Sequence, residues 1–135
     1  MELQIDRVIK CHEWLQAISE EYKAEQSITW YINILGMLCN SHAFVNEQKA
    51  IAKMLLNQKK AKVYETLALS SVANGQYYSP SLAKDYVAAR CDKEQFEYDL
   101  CDRCGSTLVH TIEAIRSILS ALKEEMKVMS YAGGA

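Results

Sequence analysis

From about Lys93 to Met129, apolar side chains return every three or four residues. Phe96, Leu100, Cys104, Leu108, Ile112, Ile115, Leu119, Leu122, Met126 and Met129 fall along one side of a single helix. No Pro interrupts the run, and its only Gly is Gly105. At roughly 1.5 Å per residue such a helix spans on the order of 55 Å, longer than the core of a small domain. Its stripe therefore needs another long helix beside it, from the same chain or from a copy.

The rest of the chain offers such partners. Ile5, Val8, Ile9, His12, Leu15, Ile18 and Tyr22 share a face and predict a first helix from about Glu2 to Glu25. Ser27 is a suitable N-cap for a second helix, because its hydroxyl accepts a hydrogen bond from the first turn. Helical spacing then continues through Ile28, Tyr31, Ile32, Leu35, Leu38 and Val45 to Ile51, Leu55, Leu67 and Val72. This predicts one very long helix over 27–72, or two nearly collinear ones meeting near Asn40-Ser41-His42. Asn74-Gly75 stops it, since Gly takes the left-handed conformation that ends helices. Ser79-Pro80-Ser81 starts a short helix to about Arg90, and Cys91-Asp92 turns into the long final helix. Residues from about 130 to 135 read as a frayed tail. No strand pattern or domain linker interrupts the series. The expected fold is all-α, a single domain over 1–135, with long amphipathic helices in a hairpin or bundle of coiled-coil-like packing, and oligomeric.

Charge is close to balanced at −2 overall but unevenly distributed. Residues 1–46 carry −3, 47–65 carry +3, 66–90 carry +1 and 91–135 carry −3. A basic segment between acidic ones fits a localised anion-binding stripe, and fits charge pairing within or between subunits equally well. The five cysteines form no disulfide framework, no leader segment is evident, and no run reaches the ~20 apolar residues of a membrane span. A cytoplasmic protein without a membrane anchor is expected.

Lys49, Lys53 and Lys60 fall within about 40° of one another at 100° per residue, with Lys59 and Lys62 read as flanking them and Tyr64 close by. Cations along a helix with an aromatic ring at one end suit a phosphate backbone and a stacked base. The same pattern is what a solvated lysine face produces. Tyr77 and Tyr78 lie in a connector, where rings either stack on bases or cover the end of a helical hairpin. Cys101 and Cys104, with Cys91 before and His110 after, have a spacing that invites zinc. However, Cys104 continues an apolar stripe and His110 lies about 240° around the helix from it, which favours packing. His12 and His42 read as hydrogen-bonded core histidines, and Gly105 as a point of close helix approach. No Gly-rich phosphate loop, nucleophile elbow, His-Glu-x-x-His pattern or di-iron Glu-x-x-His pair is present, so neither catalysis nor a cofactor is expected.

Two stretches resemble the recombination mediator of T-even phages, the UvsY family. Lys60-Ala61-Lys62-Val63 is similar to the family's basic-Ala-basic-apolar segment. The region from Val87-Ala88-Ala89 through Asp92-Lys93 to Ala114-Ile115-Arg116-Ser117 and Leu122-Lys123-Glu124 resembles its C-terminal helix. The family's paired Tyr follows the basic segment at once, whereas here Tyr64 stands alone and Tyr77-Tyr78-Ser79 comes about a dozen residues later. The resemblance implies single-stranded DNA held by the basic segment and self-assembly through the last helix. It further implies loading of a recombinase onto strands coated by a single-strand-binding protein.

The expected function is thus that of a phage or mobile-element accessory protein that binds single-stranded DNA as a homo-oligomer, without catalysis. Lys49, Lys53, Lys59, Lys60 and Lys62 would meet phosphates, and Tyr64, Tyr77 and Tyr78 would meet bases. Leu108, Ile112, Ile115, Leu119, Leu122 and Met126 would form the oligomer interface. The alternative is a helical structural or adaptor protein, such as a phage morphogenesis factor, with no affinity for nucleic acid.

Overall fold

The computed structural model describes residues 2–133, and they form four helices and no strand. These are α1 (Ile5–Lys23), α2 (Ile28–Asn74), α3 (Pro80–Arg90) and α4 (Asp92–Gly133). At 47 residues, α2 is on the order of 70 Å long. It runs unbroken through Asn40-Ser41-His42.

Local chemistry sets the boundaries. The Ser27 hydroxyl accepts a hydrogen bond from the Trp30 N–H at 3.1 Å and opens α2. Gly75, at φ 62°, closes it in the left-handed region, where its N–H reaches the Ser71 carbonyl. Ser79 caps α3 by accepting from the Leu82 N–H at 3.2 Å, with Pro80 in the first turn. A single buried residue, Cys91, separates α3 from α4. The first helix is shorter than its apolar pattern suggests, with Gln4 at its N-cap position tied to α2. The Gln4 backbone N–H donates to Gln48 Oε1 of α2 at 2.6 Å, and helix begins only at Ile5. At the other end, α4 remains helical through Gly133, so the expected tail is helix as far as it is described. Gly134 and Ala135 lie outside the described residues.

Helix α1 runs antiparallel to α2, pairing Gln4 with Gln48 and Tyr22 with Tyr31, whose hydroxyl donates to the Tyr22 and Ala24 carbonyls at 3.4 Å. Helix α4 is also antiparallel to α2, with Lys49 opposite Asp102 and Val45 opposite Gly105. Three helices therefore enclose one core of Val8, Leu15, Ile18, Tyr31, Leu38, Val45, Cys101, Cys104, Leu108 and Ile115. Beyond Gln48, α1 is absent and α2 continues as an arm, with α3 and the start of α4 as its companions. There the core shrinks to Leu56, Val63, Val87 and Cys91.

The change of architecture is written in the spacing of α2. Its buried residues step through 31, 34, 38, 45, 48 and 51 in threes, fours and sevens, and at 51 and 52 two adjacent residues are buried. The sequence 48, 52, 56 then places two four-residue steps in succession, which rotates the buried seam about the helix. The seam turns away from α1 where α1 starts.

Gly105 is not required by this packing. A Cβ there would lie 3.8 Å from Val45 Cγ1, an ordinary van der Waals contact. The helices would approach as closely with Ala in its place.

Candidate nucleic-acid interface

The five lysines of α2 do not share one surface. At 100° per residue Lys62 projects about 180° from Lys53, and Lys59 about 120° from it, so neither flanks the Lys49–Lys53–Lys60 row. Lys49 Nζ is 2.8 Å from Asp102 Oδ1 of α4, and both side chains are about half exposed. That hydrogen bond to the carboxylate holds the Lys49 ammonium above the usual lysine range. The Lys49 and Lys53 ammonium groups lie 6.0 and 5.8 Å from the centre of the Tyr98 ring. Lys49 is thus engaged within the chain, and Lys53 leans on an aromatic face.

Lys59 and Lys62 line a separate open groove of about 270 Å³ with Lys93, Glu94 and Glu97 of α4. Lys93 Nζ lies 4.0 Å from Glu97 Oε1, and the buried Oε2 of Glu94 has no hydrogen-bond partner. Lys60 is half-buried beside the arm's small core, and Tyr64, one turn on, is 45% exposed.

The connector tyrosines divide in the same way. Tyr77 is 86% exposed. Tyr78 is half-buried, its hydroxyl donating to Gln76 Oε1 at 3.1 Å and its ring 6.3 Å from Tyr86. The Arg90 guanidinium covers Tyr86 at 3.4 Å from the ring centre. Tyr78 therefore belongs to a Tyr78–Tyr86–Arg90 stack that closes the end of the hairpin, while Tyr77 presents a free face.

The fold sets the acidic start of α4 beside the basic segment that the linear sequence shows. Residues 53–90 carry Lys53, Lys59, Lys60, Lys62, Lys84 and Arg90 against Glu65 and Asp85, a net of +4, but the start of α4 beside them adds Asp92, Glu94, Glu97 and Asp99 against Lys93 and brings the arm to +1. The remainder of this −2 chain is left at −3. Lys84 and Arg90 were open to notice as a basic pair on the short third helix, but their membership of the same arm depends on the hairpin.

The residues read as an oligomer interface are for the most part covered by their own chain. Leu108, Ile115 and Leu119 are buried against α1 and α2, and Ile112 and Leu122 pack half-buried on the same core. They need no second copy, because α1 supplies the third helix that the C-terminal stripe demands. Met126 is the exception, at 56% exposed. From residue 123 to 133 every side chain of α4 is exposed, including Val128, Met129 and Tyr131.

The cysteines and histidines do not converge on a metal. Cys101 and Cys104 turn into the core, while His110 is exposed, 3.9 Å from Glu113. Among the described residues no three His, Cys, Asp or Glu side chains gather where an ion would be held. His12 is half-buried with its Nδ1 lacking a partner, so it is not the hydrogen-bonded core histidine its position suggested. His42 lines an open groove with Asn46, Lys49 and Asp102. Among the described residues no helix is long and apolar enough to cross a membrane. Compared with family models, curated proteins and solved structures, the chain matches none of them.

Proposed function

We propose that this chain is a non-enzymatic, cytoplasmic accessory protein that binds single-stranded DNA through the basic arm and self-associates through the free end of α4. The observation that carries the reading is the +4 segment 53–90 within a −2 chain, with the Tyr64 and Tyr77 rings exposed on it. Lys59 and Lys62, neighbours on one face of α2, are the principal phosphate ligands, with Lys53 and Lys60 on a second face and Lys84 on α3, and Tyr64 and Tyr77 offer stacking faces. Lys49, Arg90 and Tyr78 contribute least, since each is engaged inside the chain. The exposed Met126 and Met129, one turn apart on α4, favour coiled-coil-like pairing of α4 ends. An oligomer of this kind repeats one weak basic arm several times, as a recombinase-loading mediator on protein-coated strands requires.

Fluorescence anisotropy with a labelled oligothymidylate at two salt concentrations tests the binding. Affinity falls steeply with salt, because each neutralised phosphate releases about 0.7 of a counterion on a single strand. Replacing Lys59, Lys60 and Lys62 together by Glu lowers it at least tenfold. No binding at low salt removes the reading.

A second reading rests on the Lys49–Asp102 pair, where a lysine of the expected stripe is neutralised by its own chain. On that reading the protein is a helical adaptor whose partners are proteins alone. Recovery of protein complexes free of nucleic acid, with the triple Glu variant unimpaired, favours it.

A further inference from the structure

Cys11 of α1 and Cys104 of α4 bring two thiols together at a level of the fold where α1, α2 and α4 meet. Val8 and Cys11 stand one turn apart on α1, and Cys104 Sγ lies 4.0 Å from the Val8 carbonyl. The Cys104 thiol donates to that carbonyl, which places it beside the turn of α1 that bears Cys11, and Ser41 of α2 lines the same groove as Cys11.

Their surroundings are unequal. Cys11 is half-buried and lines an open groove of about 360 Å³ with Arg7, Lys10, Ser41 and Phe44, so small solutes reach it in a cationic setting. Cys104 lies directly behind it with no exposure at all. The neighbouring Cys104 thiol, reinforced by Ser41 against the effect of burial, lowers the Cys11 thiol to about 7. The same pairing, with burial, pushes Cys104 up, so it keeps its proton. An accessible thiolate beside a protected thiol is the arrangement of redox-responsive cysteine pairs.

We propose that Cys11 and Cys104 form an oxidation site, in which a hydroperoxide oxidises Cys11 and Cys104 then closes an intramolecular disulfide from α1 to α4. In the first step the Cys11 sulfur attacks a peroxide oxygen and the O–O bond breaks. Hydrogen peroxide then leaves water, once the departing hydroxide has taken a proton, and Cys11 is a sulfenic acid. In the second step the Cys104 sulfur attacks the Cys11 sulfur, the S–S bond forms and the S–O bond breaks. The departing hydroxide takes the Cys104 proton as a second water. Two thiols lose two electrons to one peroxide, and a small dithiol reverses the change. Oxidation pins α1, the helix that covers the C-terminal stripe, to that stripe covalently.

The test uses the full chain, treated with stoichiometric hydrogen peroxide, blocked with an alkylating reagent and mapped by proteolysis and mass spectrometry. The expected product lacks two hydrogen masses, yields a Cys11–Cys104 cross-linked peptide and leaves the exposed Cys39 open to alkylation. In Cys104→Ser the sulfenic acid persists on Cys11 and is trapped by dimedone, and in Cys11→Ser the cross-link is absent. The wild-type map needs no variant to fold and decides the matter alone. A Cys101–Cys104 bridge, oxidation confined to Cys39, or no intramolecular bond overturns the proposal.

Discussion

The bundle and the arm are built on one helix, yet they bury it in opposite degrees. Below Gln48, α2 is enclosed by α1 and α4, and Leu38 and Val45 are wholly inaccessible. Above it, α2 keeps a narrow seam of Leu56, Val63 and Leu67, while Leu69, Val72 and Tyr64 lie exposed. A third helix lets the lower half take its apolar side chains from three directions. The upper half has only the short α3 and the start of α4 beside it, and Lys53, Lys59 and Lys62 lie exposed there. The bundle serves stability, and the arm serves as a surface.

Core truncation separates the two regions most strongly. Leu108→Ala leaves a cavity in a filled three-helix core and costs about 2–5 kcal/mol. Val63→Ala removes two methylene equivalents from a thin seam and costs about 1.6 kcal/mol at ~0.8 kcal/mol each. Urea titrations followed by circular dichroism measure both, and equal losses would erase the distinction. Gly105→Ala, by contrast, stabilises the bundle by up to about 1 kcal/mol, because the helix gains Ala and the new Cβ meets only Val45 at contact distance. A lowered Tm in that variant would mean that α2 and α4 approach more tightly than described.

The smallest effect is expected at the hinge between the regions. Lys49→Ala removes a half-exposed ion pair and costs under about 1 kcal/mol, less still at high salt. Because the folded state raises the Lys49 ammonium, its contribution is fully present below the usual lysine value. It is lost as pH rises through the raised one. A thermal-melt difference between wild type and variant that grows with pH, instead of fading at strongly alkaline pH, would contradict this pairing.

Local signals in the sequence carried the elements well. Ser79-Pro80 and Asn74-Gly75 mark helix ends through their own backbone chemistry, so α3 and the end of α2 were legible without any partner. The start of α1 was not, because Gln4, at its N-cap position, is held by Gln48, 44 residues away. The C-terminal stripe correctly demanded a neighbour, but periodicity cannot say whether that neighbour is α1 or another chain. The structure assigns it to α1 and α2 through Leu122 and leaves only the last turns uncovered. For the candidate site, lysine content was readable but its partition was not. Asp102 meets Lys49 only in the antiparallel register of α2 and α4, and Lys84 and Arg90 join the arm only once the chain has turned at Gly75.

The division of labour between bundle and arm is tested most directly by hydrogen exchange with and without a saturating oligothymidylate. The account predicts slowed exchange in peptides from 53–90, with peptides from 5–48 unchanged at matched protein concentration. Protection confined to the bundle peptides, or no change anywhere, would contradict it.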